Sequence, residues 1–103
     1  MARWKKRVEK ADINHEIHSL KLGSRFMIQV VQNLYIGEMD EVVDEGWYGE
    51  LCVYEGKRRG RLLLSDPIVE TRNAKTMEKA KKYILLEATK ILGSALYVLG
   101  KES

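Results

Sequence analysis

One proline and one cysteine are all that 103 residues contain of either type, and each scarcity excludes something. The lone Cys52 cannot close an internal disulfide, so a stapled secreted scaffold is excluded and a reduced, cytoplasmic setting is expected. With Pro67 the only proline, and with no internal repeat or low-complexity tract, nothing marks a linker. One domain over 1–103 is expected, large enough to bury about two-thirds of the surface its unfolded chain exposes. Long apolar runs are missing too. None approaches the roughly 18 residues of a membrane span, and the basic stretch Met1–Lys10 is not followed by the hydrophobic segment of a secretory signal, so neither membrane insertion nor export is expected.

Catalytic and metal-binding patterns are equally scarce. The only histidines, His15 and His18, stand three apart, whereas a zinc-protease helix needs them four apart with glutamate after the first. On a strand their rings would face opposite ways. Cys52 has no base proposed beside it. The glycines of Gly56-Lys57-Arg58-Arg59-Gly60 precede a strand pattern rather than a helix, so this is no phosphate-binding Walker loop. No catalytic residue, metal site or cofactor is expected, and the chain reads as a non-enzyme.

What the chain has is a strong helical period. From Thr76 to Leu99, Ala80, Ile84, Ala88, Ile91, Ala95 and Leu99 recur on one side, with Leu85 and Leu92 at its shoulder. This predicts one long amphipathic helix over 76–99, capped by Thr76 with Glu78 in its first turn. Tyr83, Leu86, Gly93 and Tyr97 fall on the opposite side. Their exposure predicts a second cover, either a two-fold copy making a homodimer through Tyr83, Leu86 and Tyr97, or the N-terminal arm through Trp4. Gly93 also offers an alternative end to the helix.

Upstream, alternation predicts strands within 16–71. Glu16–Leu22 and Arg25–Gln32 flank a two-residue Gly23-Ser24 turn. Trp47–Glu55 alternates next, with Trp47, Gly49, Leu51 and Val53 on one face, and Arg61–Ser65 returns after a glycine-flanked loop over 56–60. Ile68–Thr71 adds a short edge strand. The connection 37–46 reads as a short helix or a loop, with Met39, Val42 and Val43 on one side and Gly46 as its terminator. The basic arm 1–12 permits a short helix with Trp4, Val8 and Ala11 on one face, though about nine residues are marginal for one alone. The expected class is α+β: an antiparallel sheet of three to five strands packed on one long C-terminal helix, with the short N-terminal helix as an option.

Net charge is only +3, but the charges are segregated. Glu38–Glu55 holds seven acidic residues and no basic one, whereas Lys57–Lys82 holds nine basic residues against three acidic. Lys57, Arg58, Arg59 and Arg61 cluster at the expected hairpin tip, and Lys75, Lys79 and Lys82 line the helix start, both of which suit phosphate contacts. The segment from Trp47 to Ala88, through the hairpin Trp47–Leu64 and then Thr76-Met77-Glu78-Lys79-Ala80-Lys81-Lys82, resembles the strand-turn-strand-helix core of the arm-type DNA-binding domains of phage integrases. More faintly, it is similar to the C-terminal part of double-stranded-RNA-binding domains. These resemblances imply a DNA or RNA partner. The expected function is a small nucleic-acid-binding module; the alternative is a dimeric protein-interaction module, an adaptor, regulator or inhibitor of the kind phages encode, engaging its partner through the acidic segment or exposed aromatics.

Overall fold

The computed structural model describes residues 4–10, 13–23 and 25–102, with side chains described for all of these except 61, 62 and 94–102. Six strands precede one helix: β1 Lys5–Glu9, β2 His15–Leu22, β3 Phe26–Ile36, β4 Val42–Arg58, β5 Arg61–Leu64, β6 Val69–Glu70 and α1 Met77–Glu102. All pairings are antiparallel in the order β1-β2-β3-β4-β5, and β6 joins the same outer edge of β4 further along. The class is α+β, with one strand more than the upper end of the sequence expectation. No described helix is long and apolar enough to cross a membrane.

Register explains which face is buried. Leu20, Ile28 and Leu51 lie directly opposite one another across β2, β3 and β4, and because side chains alternate along a strand they share one face. Helix α1 lies on that face, over β4 and then β3. Its Ala80, Ile84 and Ala88 are buried against the strand residues, as a stripe at spacing four requires. The three residues run along one side of the helix, so small alanines let it approach and Ile84 fills the gap. Thr76 Oγ1 accepts from the Lys79 N–H at 3.2 Å and caps the first turn, with Glu78 just inside it. Gly93 does not end the helix, which runs on to Glu102.

The outer edge of β4 is closed by an irregular strap. Main-chain bonds tie Ser65 to Val53, Ile68 to Leu51, Thr71 to Gly49 and Ala74 to Trp47. Where the ladder lacks a carbonyl, side chains fill in: Ser65 Oγ accepts from the Val53 N–H and Thr71 Oγ1 from the Gly49 N–H. An exposed edge is thereby satisfied over most of its length.

Four local expectations are corrected. Residues 5–9 form a strand, not a helix, because pairing with β2 satisfies their backbone and lets Lys6 reach Glu16, while Trp4 lies under the Lys81 ammonium, 4.7 Å from its ring centre. The acidic connection holds no helix: its second half is strand, with β3 and β4 meeting at Ile36↔Val42, and a tight turn over Gly37–Glu41 joins them. There the Glu41 carboxylate folds back to accept from the Met39 N–H, and it occupies the space a Cβ on Gly37 would need. Gly46 does not terminate a helix; it carries a φ of 95° at an irregularity in β4, with the Ala74 carbonyl where its Cβ would stand. Lastly, Leu22 pairs with Phe26, so Arg25 precedes β3 rather than opening it.

Candidate nucleic-acid interface

Strand β4 is seventeen residues long and carries both charge extremes, Asp44 and Glu45 near its start and Lys57 and Arg58 at its end. Its last bond toward β3 is from the Tyr54 N–H to the Arg25 carbonyl, at 2.7 Å. Beyond that point, among the described residues, only β5 flanks it, so residues 55–63 form a two-stranded ribbon that projects past the β2–β3 turn. An irregularity between Tyr54 and Gly56, where Gly56 has a φ of 120°, marks the base of the ribbon.

The tip is narrower than the sequence suggests. Arg58 pairs with Arg61, leaving only Arg59 and Gly60 as the loop, with φ values of 52° and 77°. Two successive positive φ angles define the type I′ turn, whose twist matches that of the flanking strands. Lys57 and Arg58 are therefore strand residues on opposite faces of the ribbon, and Arg59 stands at its end. All three are exposed. The Arg61 side chain lies outside the described residues, but its backbone register sets it directly across from Arg58. Like charges in that relation destabilise a hairpin unless an anion lies between or beside them.

Two cations not singled out in the sequence lie at the foot of the ribbon. Arg25 is exposed and bonds Tyr54 through its carbonyl, and the Lys21 ammonium sits 5.7 Å over the Tyr54 ring. Only the β2–β3–β4 register reveals them, since Lys21 and Tyr54 are more than thirty residues apart in sequence.

The helix-start lysines are elsewhere. Ala74 bridges Trp47, so Lys75 adjoins the acidic end of β4, in a shallow cleft with Asp44, Glu45 and Gly46. Trp47 and Lys57 are ten residues apart along one strand, about 33 Å at the usual rise. The structure thus brings Lys57, Arg58, Arg59 and Arg61 together but leaves Lys75 and Lys79 at the other end of β4. Lys82 lies over a groove formed with Trp4, Lys81 and Leu85. Of the residues expected at a dimer interface, Tyr83 and Leu86 are exposed, 44% and 51% accessible, and the Tyr97 side chain is outside the described residues.

The sheet face away from α1 carries a polar chain. The Arg7 guanidinium donates to Gln29 Oε1 at 3.1 Å, and Gln29 Nε2 donates to Glu50 Oε1 at 2.9 Å. Burial raises the Glu50 carboxyl above its usual range, and Glu70, directly opposite on β6, raises it further. Burial also pushes the Cys52 thiol up to about 11, with the Glu50 charge acting in the same direction. A thiol so placed stays protonated at neutral pH and is a poor nucleophile. His18 faces the helix, edge-on to Trp47 with ring centres 5.7 Å apart; burial, then the nearby Lys81, holds its pKa down. His15 pairs with Glu9 on the other face. Among the described residues no three histidine, cysteine or carboxylate groups gather as metal ligands.

Comparison with known protein families, with curated proteins and with solved structures finds no match to this chain.

Proposed function

We propose that this protein binds nucleic acid through the β4–β5 ribbon. The supporting observation is the position of the cations. Lys57, Arg58 and Arg59 are exposed on a ribbon that stands clear of the sheet, with a fourth cationic residue, Arg61, set across from Arg58. Among the described residues no carboxylate comes within ion-pair distance of these three. A phosphate backbone supplies the missing anion, and displacement of its condensed counterions supplies the driving force. Arg25 and Lys21 extend the positive surface at the foot of the ribbon. The acidic turn over 37–41 lies at the opposite end of the sheet, away from the bound polyanion. A cytoplasmic location goes with this reading, since the buried Cys52 is a free thiol.

The test is binding of short single- and double-stranded DNA and RNA at about 0.05 and 0.2 M salt, an interval over which several phosphate contacts change affinity by orders of magnitude. Affinity should fall steeply with salt, and Arg58→Glu with Arg59→Glu should abolish it. Absence of binding at the lower salt, or binding that survives this double reversal, would refute the proposal.

A second reading, docking of a protein on the outer face of α1, is favoured by the exposed Tyr83 and Leu86. They border a groove of about 350 Å³ between the helix and the strap, with Val69, Arg72 and Lys90 among its other walls. A second copy of the chain is the partner the sequence suggests for this face.

A further inference from the structure

The two edges of the sheet are treated differently. The strap from Ser65 to Ala74 covers that of β4, whereas β1 pairs only with β2, and among the described residues nothing lies on its outer side. All five of its residues are exposed. Such an edge is a template for another strand, and its charge order selects which.

We infer that the outer edge of β1 pairs antiparallel with β1 of a second copy, about a two-fold axis at Arg7. A strand can pair antiparallel with its own copy in one continuous sheet only about an axis perpendicular to that sheet, which centres the register on a single residue. Centring on Lys6 would set Lys5 against Arg7. Centring on Val8 would set Arg7 against Glu9 but also Lys6 against Lys10, each twice by symmetry, so that attraction and repulsion offset. Centring on Arg7 sets Lys5 against Glu9 of the second copy, twice by symmetry, and lays the Lys6 stem beside Val8. Opposite charges directly across a pair stabilise it and like charges destabilise it. The one like-charge meeting, Arg7 with its copy, is relieved because Gln29 Oε1, two strands inward, draws the guanidinium away from the edge. Glu9 is available for this role: its carboxylate lies no nearer than 4.0 Å to Arg7 and His15.

The helices do not obstruct the pairing. Each α1 lies over β4 and β3, so the two helices of the dimer stand on the same side of the joined sheet, about six strand spacings or 29 Å apart. The interface is separate from the basic ribbon and from the outer face of α1.

Sedimentation equilibrium of the full chain from micromolar to millimolar concentration tests this. The wild type should dimerise, and Lys5→Glu alone or Glu9→Lys alone should each weaken the dimer at least tenfold. Lys5→Glu with Glu9→Lys should restore it, because the swapped charges again face each other. Leu86→Lys should leave it unchanged. The register has its own readout: directly opposed residues are about 4.5–5.5 Å apart at Cα, so Arg7→Cys should cross-link under mild oxidation while Val8→Cys should not. A wild type that stays monomeric at millimolar concentration, single reversals without effect, a swap that fails to restore the dimer, loss of the dimer in Leu86→Lys, or cross-linking through position 8 instead of 7 would each overturn the inference.

Discussion

Gly49 lies directly beneath Ile84: a Cβ built on the glycine would fall 2.5 Å from the Ile84 Cβ. The glycine is needed for the closeness of helix and sheet there, since no real Cβ tolerates that distance and both residues are buried. Residue 49 stands in the middle of β4, where glycine otherwise weakens a strand.

Gly49→Ala should therefore destabilise the fold by about 1–3 kcal/mol through overpacking, and Ile84→Ala by about 2–5 kcal/mol through the cavity it leaves. The two effects should not add. In the double variant the meeting with the Ile84 Cγ atoms is gone but that with the Cβ, which alanine keeps, remains, so a double-mutant cycle from denaturant melts should show partial compensation, near the lower end of the usual range of about 0.5–3 kcal/mol. Additive costs would mean that the helix does not rest on Gly49. Ile91→Ala should cost less than Ile84→Ala, because Ile91 is only half-buried.

Gly46 and Gly23 both have positive φ but differ in surroundings. The Ala74 carbonyl oxygen lies 2.2 Å from where a Cβ of residue 46 would stand, whereas nothing is within 4 Å of that position at residue 23. Gly23→Ala should cost about 1 kcal/mol, from left-handed backbone strain alone. Gly46→Ala should cost distinctly more in the same thermal melts, and should loosen the Trp47–Ala74 bridge that seats the start of α1.

The raised Glu50 pKa has a definite sign. The folded state holds its proton to higher pH than the unfolded state does, so this group's contribution to stability falls as pH rises from its usual value near 4.5 through the raised folded value. Glu50→Gln keeps a carbonyl to accept from Gln29 and removes the charge that faces Glu70. It should therefore raise the melting temperature at pH 7 and leave it nearly unchanged below pH 4. Glu16 acts oppositely, since Lys6 hydrogen-bonds its carboxylate and lowers its pKa; its contribution is present above 4.5 and is lost as pH falls through the lowered value. A Glu50→Gln melting curve parallel to wild type across pH would contradict the account of the open face.

The distance along β4 separates two sets of cations. If the ribbon carries binding, reversal of Lys75 and Lys79 to glutamate should change affinity for a polyanion far less than reversal of Arg58 and Arg59, and should leave the slope against salt nearly intact. Loss of one ribbon contact should reduce that slope by about one. Equal effects of both pairs would show that the helix start participates.

The sequence alone determined the helix, its buried Ala80-Ile84-Ala88 stripe, its Thr76 cap and the alternation of β4, because each follows from a period or a local bond within a few residues of itself. It also placed Lys57, Arg58 and Arg59 near a hairpin tip, since glycine at position 60 signals a turn. Tertiary structure decided the rest. Residues 5–9 became a strand because β2 offered their backbone partners, which outweighs a marginal helical spacing. The acidic stretch became strand and turn because β3 extends far enough to pair with it. The helix-start lysines were parted from the ribbon because Ala74 pairs with Trp47, and a pairing register between distant residues leaves no periodic mark in the chain.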